Sequence, residues 1–220
     1  MLETLLSRMR LTRKVTRNLQ DYGPGVTAQK SVAALLAPIY CHRIYRIYRI
    51  DLTEALTPYA EQADFRLTAL QAEDSASIES IERLAEHMRG HLAREVRDGA
   101  LCLCLHAPEG LVAFNLVSFT TMSMPLIRLS LTLRAGEAWS NQITVAPRWR
   151  QRGLATQLRF AMFEELRQRG IRRFYGGTLR ANQPSLQLSR RAGFCEIVDI
   201  EYTRVLGRER RVFRRVRDPR

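Results

Sequence analysis

Hydrophobic and polar positions alternate with a period of two in several stretches of the chain, which predicts β-strands. The predicted strands cover 44–50, 64–70, 100–106, 111–119, 126–133, 139–145, 171–178 and 195–206. Between them, apolar positions three and four residues apart predict helices, the longest of which follows Gly153 and carries Leu158, Phe160, Ala161, Phe163 and Leu166. Strands interleaved with helices indicate a mixed α/β (α+β) fold, with helices on both faces of a sheet.

Residues with capping or turn preferences bound the helices between the strands. Asp74 is a predicted N-cap for a helix that bears Ile78, Ile81, Leu84 and Met88. Gly99 and Gly170 follow helical stretches and are predicted C-caps. Pro184 lies near the start of a short helix over 184–191, where a missing N–H costs little.

The first 63 residues form a basic extension. Leu2, Leu5, Leu6 and Met9 have helical spacing, with basic residues mostly on the opposite face, so an amphipathic helix is expected over 1–20. Such a helix would pack against the domain or a second subunit, which would make the protein a homodimer, or lie on an anionic membrane surface. A further short helix is predicted at 31–40, and the strand at 44–50 adds to the extension.

Composition suits a globular protein. The chain has 220 residues, 45% of them hydrophobic, and no apolar run approaches the roughly 20 residues that span a bilayer. No secretory signal is apparent at the start, so we expect a cytoplasmic protein, with attachment to the inner face of a membrane as an alternative. The four cysteines are too few and too scattered for a disulfide framework, so reduced thiols are expected.

The net charge of +13 is concentrated at the two ends. Residues 1–17 hold five basic side chains against Glu3, and residues 207–220 hold seven arginines against Glu209 and Asp218. Basic ends fit nucleic acid, anionic lipid or an acidic protein surface as a partner. Arginine outnumbers lysine 33 to 2, so a compositional bias with solvated tails explains the same charge, and we favour that explanation slightly.

The most informative stretch, 143–156, runs from a strand through a short basic loop into a helix. The first turn of a helix leaves backbone N–H groups unpaired, and their partial positive charge attracts a phosphate group. Gly153 permits close approach of an anion, and Ala155 keeps the next turn unobstructed. Full positive charges surround this position on Arg148, Arg150 and Arg152. The stretch is therefore predicted to hold a pyrophosphate.

Two blocks of sequence resemble the GCN5-related N-acetyltransferase (GNAT) family. Arg150-Gln151-Arg152-Gly153-Leu154-Ala155 is similar to the family's Q/R-x-x-G-x-G/A signature for the pyrophosphate of acetyl-coenzyme A. Asn182-Gln183-Pro184-Ser185, followed by Arg191-Ala192-Gly193-Phe194, resembles the family's asparagine, helix and Gly-Phe sequence. The resemblance implies a GNAT-like, mostly antiparallel sheet over about 64–206, with 207–220 as a basic tail.

The resemblance also implies an activity and a coenzyme site. The expected enzyme is an acyl-CoA-dependent N-acyltransferase, a GNAT-type N-acetyltransferase with acetyl-CoA (coenzyme A) as co-substrate. The residues expected to bind it are Ile143, Thr144 and Val145 through their backbone, the loop and helix start at Arg150, Gln151, Arg152, Gly153, Leu154, Ala155 and Thr156, and Asn182 with Ser185. On local grounds Asn182 is equally suited to cap a helix.

Three residues are the catalytic candidates. Glu137, the single carboxylate between Leu111 and Val145, is the candidate general base, with an exposed turn as its alternative role. Asn141, with Ser140, could instead align a water molecule, and a partly neutral amine needs no strong base. Ser189 stands where many family members carry a tyrosine that protonates the leaving thiolate. Ser189 could act through water, Tyr175 or Tyr202 could substitute, the thiolate could leave unassisted, or turnover could be lost.

No metal site is predicted. Cys102, Cys104 and His106 alternate along one strand, where buried thiols are the better interpretation, and His87 and His91 are expected on the surface. The acceptor amine is left open among amino sugars, amino acids, polyamines and protein amines. The rival function is a catalytically weak scaffold of the same fold that binds nucleic acid or an anionic surface through its basic ends.

Overall fold

The computed structural model describes residues 39–54 and 65–216. The helix predicted over 1–20, most of the helix predicted over 31–40, residues 55–64 and the last four residues lie outside the described residues. Tyr40, predicted to end the second helix, lies in a strand instead. The strands are β1 (Tyr40–Asp51), β2 (Arg66–Ala69), β3 (Leu101–Ala107), β4 (Gly110–Ser118), β5 (Thr121–Met124), β6 (Leu129–Thr132), β7 (Glu137–Val145), β8 (Arg173–Leu179), β9 (Cys195–Val205) and β10 (Arg208–Arg215). The helices are α1 (Ser75–Leu84), α2 (Leu92–Arg97), α3 (Leu154–Gln168) and α4 (Gln183–Arg191).

Local signals account for the helix ends. The Asp74 carboxylate caps α1 by accepting a 3.0 Å hydrogen bond from the Ser77 N–H, as predicted. Met88, predicted to continue this helix, lies instead in a separate 3₁₀ turn at Glu86–Met88. Further 3₁₀ turns occur at Pro125–Ile127 and Pro147–Trp149.

The chain divides into two units. Among the described residues, the smaller unit consists of 39–43 and 201–212, and the larger of 44–54, 65–200 and 213–216. Within the smaller unit, Leu206 and Gly207 both have positive φ, at 48° and 82°, as a two-residue hairpin turn requires. The Leu206 N–H donates a 2.8 Å hydrogen bond to the Ile39 carbonyl oxygen.

The larger unit is built around a sheet with the strand order β10-β9-β1-β8-β7-β4-β3-β2. Antiparallel pairing joins β1 to β8, β4 to β7, β3 to β4 and β2 to β3, whereas β7 and β8 are parallel. A separate two-stranded sheet contains β5 and β6. The expected mixed, mostly antiparallel sheet is therefore confirmed.

Helices cover both faces of this sheet, and β3 is buried between them. Leu101, Leu103 and Leu105 belong to the core that contains α3 and α4, while Cys102 and Cys104 belong to the core that contains α1 and α2. Both thiols are fully buried, as predicted. Among the described residues, no group of three or more His, Cys, Asp or Glu side chains is arranged to hold a metal ion.

Two glycines in β8 make room for aromatic rings. A Cβ on Gly176 would lie 2.4 Å from the Tyr48 ring, and one on Gly177 would lie 2.4 Å from the Tyr45 ring and 2.8 Å from the Trp139 ring. Strand β8 pairs with β1 along the whole length of β8, from Arg173 to Leu179. The glycines thus let these rings pack directly on the backbone at the centre of the sheet.

The structure corrects two predictions outside this centre. The strand predicted at 126–133 is a 3₁₀ turn followed by the shorter β6, because Arg128 takes a left-handed conformation with φ of 49° and interrupts the alternation. The segment 207–220, expected to be a basic tail, contains strand β10. Its backbone pairs although half of its eight side chains are exposed arginines, a composition that natural edge strands tolerate.

Strand β1 covers the strand predicted at 44–50 and extends it at both ends. It occupies a position between β9 and β8 in the sheet order. In the part of the chain that the structure describes, no helix is both long enough and apolar enough to cross a bilayer.

We predict that Gly177→Ala lowers the free energy of unfolding by about 1–3 kcal/mol, because the new methyl group meets two rings and the Arg46 carbonyl oxygen at 3.1 Å. The three atoms nearest to a Cβ on Gly176 all belong to the Tyr48 side chain, so Gly176→Ala should cost less. Urea unfolding of both variants checks this order. Equal losses would contradict the packing described for Gly177.

Candidate functional site

Strands β7 and β8 separate shortly after they begin to pair. Their parallel pairing covers Glu137 with Arg173, Ala138 with Phe174 and Trp139 with Tyr175, and no further pair joins them within the described residues. Strand β7 continues to Val145 along β4, while β8 continues to Leu179 along β1. The edge of β7 from Ser140 to Val145 therefore faces a gap, where backbone groups are available to a ligand. Ile143, Thr144 and Val145, predicted to bind coenzyme through their backbone, lie on this edge.

Asn141 is the extra residue of a β-bulge beside the gap. Leu116 of β4 pairs with Gln142 and Val117 pairs with Ser140, so Asn141 has no opposite residue. A bulge redirects side chains and is frequent next to active sites. The Asn141 Oδ1 is buried and has no hydrogen-bond partner among the described residues.

The loop between β7 and α3 has the geometry predicted for an anion site. Gln151 and Gly153 have positive φ, at 63° and 79°, and such residues turn neighbouring N–H groups toward one side. Gly153 is the N-cap of α3, and no side chain of the described residues caps this helix. The first turn of α3, with the backbone N–H groups of Leu154, Ala155 and Thr156, thus follows the loop directly. The Thr156 N–H already bonds the Gly153 carbonyl at 2.9 Å.

Arginine side chains are held around this loop by an indole ring. The guanidinium carbons of Arg152 and Arg148 lie 4.8 Å and 5.8 Å from the Trp149 ring centroid, distances typical of cation–π contacts. Trp149 in turn packs edge-on against Phe65, with ring centroids 5.6 Å apart. The Nε of Arg150 donates a 3.4 Å hydrogen bond to the Val145 carbonyl. Positive charge is therefore positioned beside the start of α3.

Asn182, Ser185 and Ser189 are linked through α4. Asn182 is the N-cap of this helix: its Oδ1 accepts from the Ser185 N–H at 3.4 Å, and its Nδ2 donates to Thr178 Oγ1 at 3.2 Å. The Ser189 hydroxyl donates to the Ser185 carbonyl at 3.1 Å, and Ser189 is only 2% exposed. In this structure the Asn182 side chain thus caps α4, and the Ser189 hydroxyl is hydrogen-bonded within α4.

Glu137 lies at the first residue of β7, four positions before the bulge. Its Oε1 accepts a 3.0 Å hydrogen bond from the Tyr175 hydroxyl, and its Oε2 accepts from the Arg134 N–H at 3.0 Å. Arg173 Nη1 lies 3.6 Å from Oε1. Four residues of a β-strand span about 13 Å, so Glu137 and Asn141 lie roughly that far apart along β7. The structure does not bring these two candidates together.

A cleft of about 460 Å³ opens beside the bulge. Its walls include Asn141 and Gln142 of β7 and the residues around α2. A 2.8 Å hydrogen bond joins His87 Nε2 to Gln142 Oε1. The remaining polar side chains of the α2 wall are His91, Arg94, Glu95 and Asp98, and apolar contacts come from Met88, Leu116 and Phe119. His87 and His91, expected only on the surface, therefore line a cavity that includes a predicted site residue.

Sequence reasoning missed a buried arginine at the point where β7 and β8 separate. Arg159 of α3 is 1% exposed, and its Nη1 donates to Ser140 Oγ at 3.1 Å while its Nε has no partner among the described residues. Its guanidinium carbon lies 5.7 Å and 5.3 Å from the ring centroids of Phe174 and Phe194. Burial lowers the pKa of Arg159 from its ordinary value. Helical spacing could have located it, because position 159 is four residues before the buried Phe163.

The described residues form an α/β fold with a strand, a loop and a helix start at its centre. The sequence model of the acetyltransferase (GNAT) family matches residues 43–194, and the chain belongs to that family. This confirms the resemblance found in the two sequence blocks, and the expected enzyme class, a GNAT-type N-acetyltransferase, is that of the family. No curated protein matches the chain significantly.

Solved structures share the fold at low sequence identity. A GCN5-related N-acetyltransferase from Sphaerobacter thermophilus has 18% identity and a TM-score of 0.56, over 80% of this chain and 56% of that one. A Drosophila protein solved by a structural genomics consortium has 16% identity and a TM-score of 0.55, over 83% and 58%. A tandem GNAT protein from the clavulanic acid biosynthesis pathway has 19% identity and a TM-score of 0.54, over 82% of this chain and 59% of that one. The chain thus spans less than two thirds of the length of these three proteins.

We predict that Tyr175→Phe weakens the alkaline destabilisation of the protein. Burial, and then the hydrogen bond to Glu137, raise the pKa of Tyr175, so the stabilisation is fully present below about pH 10 and is lost as the pH rises through the folded-state value. Urea unfolding between about pH 9 and 11 should therefore show a shallower decline in the variant than in the wild type. Tyr45, whose pKa is also raised by burial, contributes equally to both proteins.

Tyr40→Phe is the control for this measurement, because Tyr40 is about half exposed and hydroxyl removal there leaves the Glu137 contact intact. If the free energy of unfolding declined with pH equally in the wild type and in Tyr175→Phe, the contact between Tyr175 and Glu137 would not form in solution.

Proposed function

We propose that the protein is an acyl-CoA-dependent N-acyltransferase that moves an acetyl group from acetyl-CoA to a primary amine. The observation that carries this proposal is the gap between β7 and β8 leading into the uncapped, arginine-flanked start of α3, in a chain of the acetyltransferase (GNAT) family. The gap supplies backbone groups for an extended arm, and the helix start supplies N–H groups for a pyrophosphate. These two features fit the two parts of the coenzyme.

Acetyl-CoA, when bound, supplies the activated acyl group as a thioester. The chain's residues would hold it in the predicted places: the β7 edge at Ile143, Thr144 and Val145 for the arm, and the loop and helix start for the phosphates. The loop and helix residues concerned are Arg150, Gln151, Arg152, Gly153, Leu154, Ala155 and Thr156. Positive φ at Gln151 and Gly153 supports this assignment because it gathers N–H groups on one side of the loop.

Asn182 and Ser185 are proposed as the second part of the coenzyme site, in a supporting role. Because the Asn182 side chain caps α4 and bonds Thr178, it fixes the start of that helix after the end of β8. Coenzyme contacts from this position would then use the backbone of the α4 start and the Ser185 hydroxyl.

The cleft beside the bulge is proposed as the acceptor site. It reaches Asn141, which follows Ser140 at the beginning of the gap, so an amine in the cleft would lie close to an acyl group held in the gap. Glu95 and Asp98 outnumber Arg94 on its wall and so favour a cationic acceptor, and Met88 and Phe119 favour one with an apolar part. Amino sugars, amino acids, polyamines and protein amines all carry such an amine.

Asn141 is the catalytic candidate that the geometry favours. Its buried Oδ1 has no hydrogen-bond partner among the described residues and is therefore placed to accept a hydrogen bond from the amine, or from an ordered water molecule that carries the amine proton to solvent. Glu137 stays the predicted general base, and in this structure its carboxylate bonds Tyr175 and Arg134. Ser189 stays a predicted group for the leaving thiolate, and its hydroxyl is bonded to its own helix.

The test of this function is isothermal calorimetry of the full chain with acetyl-CoA and, separately, with CoA. We expect saturable binding with one site per chain, and then thiol release from acetyl-CoA when suitable amines are added. Absence of binding to either compound would overturn the proposal.

We predict that Gly153→Glu abolishes this binding, because it places a carboxylate at the helix start and forces a residue with a side chain to φ of 79°. The loss should exceed about 100-fold, the effect of two to three lost charge-assisted hydrogen bonds. Calorimetry with CoA measures it directly.

Gly170→Glu is a matched control at the opposite end of α3. Gly170 has nearly the same φ of 73°, and a Cβ there meets no atom within 4 Å, so this variant carries the same strain and the same added charge. It should bind CoA as the wild type does. Similar weakening in both variants would point to a general loss of stability instead of a phosphate site.

A further inference from the structure

Arg159 is a buried cation that the chain pairs incompletely. Among the described residues its one side-chain hydrogen bond is to Ser140 Oγ, and the rings of Phe174 and Phe194 lie beside the guanidinium. Burial lowers the pKa of Arg159, and the phenol of Tyr48 acts in the opposite direction. A buried charge is stable only when it is paired or hydrogen-bonded, so this guanidinium needs an acceptor.

A second buried donor near Arg159 also lacks a partner. Asn115 is fully buried, its Oδ1 accepts from Ser140 Oγ at 3.4 Å, and its Nδ2 has no hydrogen-bond partner among the described residues. Arg159, Ser140 and Asn115 thus form a short chain in which donors exceed acceptors at both ends. Such a cluster has the polarity of a site for an acceptor atom or an anion, not for a cation.

The cluster lies where the two strands separate. Ser140 directly follows Trp139, the last residue of β7 that pairs with β8. Phe174, which contacts Arg159, is the residue of β8 that pairs with Ala138. The guanidinium is therefore at the closed end of the gap, and an arm that enters the gap from the α3 loop would end near it.

Arg159 also lies beside the end of α4, where Ser189 stands in place of the tyrosine that many family members carry. Phe194, whose ring it contacts, donates its backbone N–H to the Ser189 carbonyl at 3.0 Å. Ser189 itself is buried and its hydroxyl is bonded within α4. A positive charge is thus present close to a position that offers no free acidic side chain.

We propose that Arg159 binds the sulfur of the coenzyme and stabilises the negative charge that forms there when the thioester is cleaved. This proposal rests on the proposed acyltransferase function. The amine nitrogen bonds to the acyl carbon, the carbon–sulfur bond breaks with both electrons going to sulfur, and the amine proton passes to solvent. Arg159 keeps its own proton throughout, because a guanidinium does not deprotonate in proteins, and it acts by electrostatic stabilisation in a site that excludes water.

The experiment measures the pKa of the thiol of CoA bound to the full chain, by the ultraviolet absorbance of the thiolate as the pH is raised. In the wild type this pKa should lie below that of free CoA by about 1–3 units, the effect of a nearby opposite charge. Arg159→Met should remove the shift, Arg159→Lys should keep part of it, and calorimetry should show that all three proteins still bind CoA.

Arg169→Met is the matched control, since it removes a half-exposed arginine just past the end of the same helix. It should leave the thiol pKa of bound CoA as in the wild type. Thermal unfolding distinguishes a functional from a structural arginine. Replacing an incompletely paired buried charge by an apolar side chain of similar length should leave Tm unchanged or higher, whereas a structural arginine would lower it.

The outcomes separate the two proposals. Failure of the wild type to bind CoA would overturn the acyltransferase function and this inference with it. Binding with the thiol pKa of free CoA would overturn the role of Arg159 alone, whatever the stability of the variants. A shift that persists in Arg159→Met, or a lowered Tm with an unchanged shift, would also overturn it.

Discussion

The early separation of two parallel strands is the constraint on which the site depends. Because β7 and β8 pair over three residues only, the remaining edge of β7 keeps backbone groups that a continuous sheet would use. Each strand still has a partner on its other side, β4 for β7 and β1 for β8, so the gap opens without an unpaired strand. The bulge at Asn141, the loop before α3 and the buried Arg159 all take their positions from this gap.

The polar cluster at the end of the gap works against stability. A buried donor without an acceptor costs about 1–3 kcal/mol, and Arg159 Nε and Asn115 Nδ2 are two such donors among the described residues. The surrounding core offsets this cost with aromatic contacts: the rings of Phe163, Phe174 and Phe194 lie within 6.0 Å of one another by centroid distance. The neighbouring rings of Phe174 and Phe194, at 5.7 Å and 5.3 Å from the guanidinium carbon, also restrict it to one place, which preorganises it for a ligand.

Much of the fold could be predicted from the sequence because its signals are local. Asp74 before an apolar helix, and Gly153 between a strand and a helix, identify their own elements wherever the chain places them. Arg159 could not be recognised from residue type, since hydropathy assigns arginine to the surface. Its burial depends on strand residues distant in sequence, Ser140 of β7 and Phe174 of β8. The cleft beside the bulge was missed for a similar reason: α2 and the bulge of β7 meet only in the folded chain.

Strand β1 has a consequence for how this protein is made. It is synthesised early, yet Tyr45 pairs with Leu179, so its partner strand leaves the ribosome more than 130 residues later. Contacts between residues this far apart in sequence slow folding, because a long loop must close before they form. Until then, the backbone edge of β1 that pairs with β8 has no partner. An unpaired strand edge is the kind of surface that aggregates or recruits chaperones. The centre of the sheet can therefore be completed only after β8 has been synthesised.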